Sequence, residues 1–308
     1  MAPIHRLVEA TDSDQRARDL LTAQAWGRQL TTEQFLQREA GLRAHPFAKQ
    51  HLRTWLWVDE AGAVLSSCET FEVPARRGSR LGRAFVIASV FTEPSLRGKG
   101  HAVTLINAVC ERLGQLADAL AVSLFSEVGA RIYERAGFVA QPSWDVVLPL
   151  ETSVLPLVTS SVEELPAVEA PPSVTADGSV QLELTVEQCD WQVERERLYA
   201  RALKRPELKA HLLRRGRSSL ALTASFQTNE LHVLWYRFEL PADVGPLLAA
   251  AAHHGRASGL KALRVWETTP IPLPAGAVRV ERTDELPMLR ALDGAPARWS
   301  FIERGLWA

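Results

Sequence analysis

The chain is poor in cysteine and methionine, carries no surplus of either charge, and contains no long apolar run. Its three cysteines, Cys68, Cys110 and Cys189, are odd in number and far apart among 308 residues. They give neither a disulfide framework nor a metal-ligand spacing. Lys and Arg number 35 against 36 Asp and Glu, a net charge of −1, so no global field points to nucleic acid or an anionic membrane. No apolar stretch approaches the roughly 18 residues of a membrane span. The N-terminal stretch MAPIHRLVEATDSDQ lacks a basic-then-apolar leader. The expectation is a reduced, cytoplasmic protein with no metal, nucleic-acid or membrane partner. The sequence does not set its oligomeric state.

What is present is ordinary globular material: 46% apolar and 23% charged residues, enough for a real core. The length predicts two domains or one large one. A proline-bearing stretch over 151–181, with Pro156, Pro166, Pro171 and Pro172, reads as an extended linker whose first part is able to pair as a strand with the first domain. The expected division is a domain over 1–150, the linker over 151–181, and a smaller α+β domain over 182–308.

Before the linker, helix and strand patterns alternate. Residues 13–43 are mostly helical, with Leu20, Leu21, Ala23, Leu30, Phe35 and Leu42 at near-helical spacing. Arg53–Asp59 and Val64–Val73 form a hairpin about Glu60-Ala61-Gly62, and Ala84–Thr92 reads as a central strand buried on both faces. A glycine-rich turn leads into an amphipathic helix over 100–116. Ala119–Phe125 is a strand, Ala130–Ala136 a short helix, and Trp144–Pro149 the last strand of the first domain. In the second half, Trp191–Ala202 is helical and Glu207–Arg214 continues the helix after Pro206. Strands at Leu220–Phe226 and Glu230–Glu239, a helix at Val244–Ser258 and a strand at Ala262–Thr268 follow. This repeats the element order of 64–125, without the glycine-rich turn, as a degenerate internal copy would.

The chemistry concentrates in VFTEPSLRGKGHA, Val90–Ala102. Glycine lets a ligand approach the main chain, and the first turn of a helix offers unpaired N–H groups to an anion. Arg97 and Lys99 add positive charge there, so a diphosphate is the natural guest. The spacing fits neither a Walker A loop nor a Rossmann turn.

The pattern Arg97-x-x-Gly100-x-Ala102, with Pro94 upstream, resembles the acetyl-CoA loop of the GCN5-related N-acetyltransferases. ARIYERAGF (130–138) is similar to that family's later helix-then-strand motif, with Tyr133 at the tyrosine position. Where the family often has Asn, seven residues before that tyrosine, this chain has Ser126. Further stretches resemble the lysine N-acetyltransferases of fungal lysine catabolism: AWGRQLTTEQFLQRE, LRTWLWVD, SSCETF, LFSEVGARIYERAGF and the tail ELPMLR…WSFIERGLW. The resemblance implies a mixed, twisted α/β sheet flanked by helices, splayed beside the loop. It implies acetyl-CoA as co-substrate, with its diphosphate on Arg97, Gly98, Lys99, Gly100, His101 and Ala102. The coenzyme arm would lie along Val90, Phe91 and Thr92, with Ser126 and Tyr133 beside it.

An amine must be neutral to attack a thioester, and a lysine side chain, with pKa about 10.4, is almost wholly protonated at neutral pH. A carboxylate or a water chain must therefore accept a proton. The resemblance assigns the oxyanion donor to a main-chain N–H at Phe91 or Thr92, and the acid for the leaving thiolate to Tyr133. For the base, Glu69 and Glu72 point to opposite faces of one strand, so only one faces the cleft. Glu69 is favoured and Glu127 is a further candidate. The implied substrate is a small-molecule amine, best the ε-amine of free L-lysine. The alternatives are a protein lysine, an N-terminus, a polyamine, an antibiotic amine, or a non-catalytic acyl-CoA-binding module.

Other features read as structural. His253-His254 lacks a third ligand, Cys68 and Cys110 look like core residues, and Trp55, Trp57, Trp235 and Trp266 look like core or interface anchors. The nine Lys and Arg residues from Arg195 to Arg217 coat a solvated helix, or one of the arginines clamps a substrate carboxylate.

Overall fold

The computed structural model describes residues 5–152, 162–173 and 178–307. Within the proline-bearing stretch, 153–161 and 174–177 lie outside the described residues. The chain opens with strand β1 (Arg6–Glu9) and helices α1 (Asp12–Trp26), α2 (Thr32–Ala44) and α3 (Pro46–His51). Strands β2 (Leu52–Val58), β3 (Val64–Arg77) and β4 (Arg80–Phe91) follow, then α4 (His101–Gly114) and β5 (Ala119–Ser126). Next come α5 (Arg131–Glu134), β6 (Val139–Ala140), β7 (Trp144–Pro149), β8 (Glu163–Leu165) and β9 (Val180–Leu182). The remainder is α6 (Val186–Leu203), β10 (Leu212–Arg215), β11 (Ser218–Ser225) and β12 (Glu230–Arg237). It ends with α7 (Pro241–Ala257), β13 (Ala262–Trp266), β14 (Val278–Glu281) and β15 (Leu286–Ala291).

These strands form two mixed sheets with one plan. The first runs β1-β2-β3-β4-β5-β15-β6, with β9 added along β3, and the second runs β8-β10-β11-β12-β13-β7-β14. In each, one parallel pair (β4–β5, β12–β13) sits among antiparallel neighbours, and a helix crosses between its two strands. The second sheet therefore repeats the plan of the first, as the internal copy read from element order would, and is the smaller of the two. It is a second α/β layer of seven strands.

The two copies also exchange a strand. Trp144–Pro149, expected to finish the first sheet, pairs antiparallel with β13 and β14 in the second. Its counterpart β15, late in the chain, returns to pair with β5 and β6 in the first. Glu163–Leu165, in the linker stretch, pairs with β10 of the second sheet. Aromatic contacts bind the halves where the strands cross over: Phe125 meets Trp266 at 4.9 Å and Trp299 at 5.4 Å between ring centroids.

Three local expectations are corrected. The helical stretch 13–43 is two helices, broken at 27–31, where Gln29 takes a left-handed φ of 63°. Leu20 and Leu21 face solvent, while Arg18, Asp19 and Thr22 are buried, so α1 turns a polar face inward. Glu207–Arg214 does not continue α6. Lys204 ends that helix with φ 53°, and 212–215 is strand, because buried Glu196 accepts hydrogen bonds from Leu208 N (2.9 Å) and His211 Nε2 (3.3 Å).

Candidate active site

The loop 97–102 keeps its main chain open. Gly98 and Gly100 have φ of 79° and 83°, conformations that L side chains rarely adopt. Nothing lies within 4 Å of where a Cβ would sit on either. No side chain caps α4, and its first turn carries no acidic residue, so its N–H groups and dipole are free for an anion. Arg97 and Lys99 are exposed, and Arg97 Nε donates to Thr92 O at 3.0 Å, bracing the loop against the end of β4. His101 is half-buried against His5, and burial, with His5 and Lys99 nearby, lowers its pKa. The residues present fit a diphosphate.

Just before this loop the central strand is deformed. The β3–β4 register slips between Ser67↔Phe91 and Glu69↔Ala88, so β4 carries a bulge at Ser89-Val90, with Ser89 at φ 53°. Pairing of β4 with β5 stops at Ile87↔Leu124, and beyond it the two strands part. Arg18 holds the bulge: its Nη2 donates to Ser89 O (2.7 Å), Nε to Ser67 Oγ (3.0 Å) and Nη1 to Glu69 Oε1 (3.0 Å). A left-handed serine persists because its surroundings impose it, and such strain gathers at functional sites.

Below the bulge, a cavity of about 500 Å³ lies between the halves of the chain. The first half contributes Arg18, Glu69, Phe71, Val90, Glu127 and Tyr133; the second contributes Trp191, Arg195, His232, Glu285 and Arg304. Trp191 seals one side, its ring 5.2 Å from that of Phe71 and its Nε1 donating to Leu42 O at 3.2 Å.

Glu69 and Phe71 share the cavity face of β3, while Glu72 pairs with Arg83 at 3.3 Å on the other face. Glu69 is buried between Arg18 and Arg43 (3.3 Å). Burial pushes its pKa up, but the two guanidinium groups more than offset this and hold it below the usual carboxylate range. Arg43 is itself held by Asp19 at 2.5 and 2.7 Å. Glu127 differs: among the described residues it has no hydrogen bond or ion pair. Partial burial, then Glu285 and Asp284, raise its pKa. Tyr133 is buried, and its hydroxyl bonds no protein group among the described residues. Burial, with Cys68 and Glu127 nearby, pushes its pKa up to about 12. The Ser126 hydroxyl donates to Gly129 O (2.6 Å) and accepts from Val128 N (3.3 Å), so its proton belongs to its own turn. Phe91 packs its ring against Trp26 at 5.7 Å, and Thr92 Oγ1 bonds Ser66 Oγ at 2.9 Å.

The second copy shows what a closed version looks like. The first turn of α7 holds its own anion, Asp243, bonded to Ser218 Oγ (2.6 Å) and Arg215 Nε (3.0 Å). The gap between β12 and β13 is tied by Tyr236, which donates to Thr269 O (2.6 Å) and accepts from Thr269 N (3.0 Å). Both places left open in the first copy are filled by protein in the second.

Sequence reasoning missed Arg18 and Arg43, and placed Arg195 only within the basic group Arg195 to Arg217. A signal existed for the first: Arg18, Thr22 and Trp26 recur every four residues on α1, and all three line the cavity. Among the described residues no group of three His, Cys, Asp or Glu side chains could hold a metal ion, and no helix is long and apolar enough to cross a membrane. His254 pairs instead with Glu164 at 3.1 Å.

No protein-family profile matches the chain. A lysine acetyltransferase of Yarrowia lipolytica is 24% identical, over 79% of this chain and 79% of that protein. Among solved structures, a GCN5-related N-acetyltransferase from Anabaena variabilis superposes with a TM-score of 0.58 at 14% identity, covering 94% of this chain and 73% of that one. A tandem protein of the same fold from the clavulanic acid biosynthesis pathway superposes with a TM-score of 0.52 at 13% identity, over 95% of this chain and 100% of that one.

Proposed function

We propose that the chain acts as a GCN5-related N-acetyltransferase and moves the acetyl group of acetyl-CoA to the ε-amine of free L-lysine. The observation that carries this is the single open coenzyme cradle of the first copy leading to a cavity walled by the second. A substrate presented on a protein surface needs an open groove, whereas this cavity has its far side covered by α6 and the C-terminal turn. The relative named a lysine acetyltransferase agrees with the amine chosen.

In this reading the main chain of 97–102 takes the diphosphate, and Val90–Thr92, past the parting of β4 and β5, pairs with the coenzyme arm. The bulge turns main-chain N–H groups, from Val90 to Thr92, toward the thioester oxygen as negative charge develops there. Tyr133, still protonated at neutral pH, donates to the departing thiolate, and its phenolate recovers a proton from Glu127, which holds the one taken from the amine, or from water. Glu127, unpaired and with a raised pKa, receives the ammonium proton, directly or through water. Glu69 keeps its charge for Arg18 and so holds the bulge.

The test is release of free thiol from acetyl-CoA against a panel of L-lysine, other amino acids, cadaverine, polyamines, and a lysine-containing peptide. L-Lysine should turn over fastest. A faster peptide, or no thiol release with any amine, would overturn the reading.

A further inference from the structure

One wall of the cavity carries a cation with no ion-pair partner among the described residues. Arg195 projects from α6, and none of its nitrogens has a hydrogen-bond partner among the described residues. Its Nη1 is also sealed from solvent. Four other arginines that line this cavity are paired: Arg18 with Glu69, Arg38 with Glu39, Arg43 with Asp19, Arg304 with Glu285. Arg195 instead lies over the indole of Trp307, its guanidinium carbon 4.5 Å from the ring centroid. Arg38 and Arg304 lie near enough to oppose its charge; Tyr199 and Glu39 offset part of this from beyond ion-pair distance. An unpaired guanidinium in such a place is costly, and the missing partner is an anion. Stacking fixes the plane of the group and leaves its N–H edge for a planar, two-oxygen acceptor.

We propose that Arg195 binds the α-carboxylate of the amino-acid substrate and thereby restricts the enzyme to free amino acids. This rests on the acetyltransferase reading above. Glu127 and Asp284, which also line the cavity, suit an ammonium group. Diamines lack the carboxylate, and a lysine within a peptide has lost it to the amide bond.

The experiment compares kcat/KM for L-lysine, L-lysinamide and cadaverine in the parent protein, R195Q and R195K. The parent should prefer L-lysine over cadaverine by about thirtyfold or more, which is about 2 kcal/mol of transition-state binding. In R195Q that ratio should fall to about threefold or less. R195K should lie between, because an ammonium keeps the charge and loses the fork. L-Lysinamide should behave as cadaverine does. A parent ratio near one, an equal loss on all three amines in R195Q, or a matching loss of acetyl-CoA affinity would each overturn the clamp. If no amine releases thiol, the functional reading fails, and calorimetry with L-lysine and cadaverine then decides the clamp alone. Carboxylate-dependent binding lost in R195Q supports it, and binding indifferent to the carboxylate or to R195Q refutes it.

Discussion

Replacing Glu69 by glutamine separates holding the bulge from accepting a proton. The substitution removes the charge between Arg18 and Arg43 but keeps a side-chain oxygen. Arg43 retains Asp19 at 2.5 and 2.7 Å and Glu39 at 3.5 Å, whereas Arg18 retains only Ser67 Oγ and Ser89 O. Breaking a buried pair by removing one partner costs roughly 3–5 kcal/mol, and the surviving oxygen places E69Q near the lower end. At about 2–4 °C per kcal/mol, Tm should fall by roughly 6–12 °C. The pH dependence follows from the lowered pKa of Glu69. Its stabilisation is complete above the unfolded value of about 4.3 and is lost as pH falls through the folded one. The stability gap between parent and E69Q should therefore be constant from pH 6 to 8 and narrow below about pH 4. Thermal melts across pH measure this, and stopped-time thiol assays give kcat on the same samples. E69Q should slow turnover by one factor at every pH, leaving the acidic limb in place. An unchanged Tm together with a vanished acidic limb would make Glu69 the base and refute the division of roles.

E127Q should do the reverse, flattening the acidic limb of kcat with little change in Tm, because Glu127 is unpaired among the described residues; a limb that survives removes it as proton acceptor. Y133F should lower kcat by about 10²–10⁴ with acetyl-CoA affinity held, which single-turnover kinetics and calorimetry separate. G100E, which puts a carboxylate and a strained left-handed φ at the diphosphate cradle, should abolish micromolar acetyl-CoA binding in calorimetry. R195M should be no less stable than the parent, since burial, then Arg38 and Arg304, push the Arg195 pKa down to about 10; a clear fall in Tm would give that arginine a structural role.

The open glycine loop before α4 was legible because its geometry is local. A strand, two glycines and an uncapped helix lie within one stretch, and the structure keeps them in sequence order. The doubled α/β plan was legible from element order. The exchange of Trp144–Pro149 and Leu286–Ala291 between the sheets was not, because a strand's pattern gives its period and burial but not its partner. Leu20 and Leu21 misled for a related reason. Arg18 and Asp19 are inside only because Glu69 and Arg43 meet them there, and those partners lie 51 and 24 residues away. Arg195 was visible only as one of nine basic residues. What distinguishes it is the absence of a hydrogen-bond partner among the described residues, and partners are a property of the folded chain.

The central claim is transfer of an acetyl group to the side-chain nitrogen of free lysine, and the product itself tests it most directly. Acetyl-CoA labelled with ¹³C at the carbonyl, incubated with L-lysine and the protein, should give one new amide whose carbonyl correlates by NMR with the ε-methylene protons. A correlation to the α-proton instead, or no amide product, would contradict it.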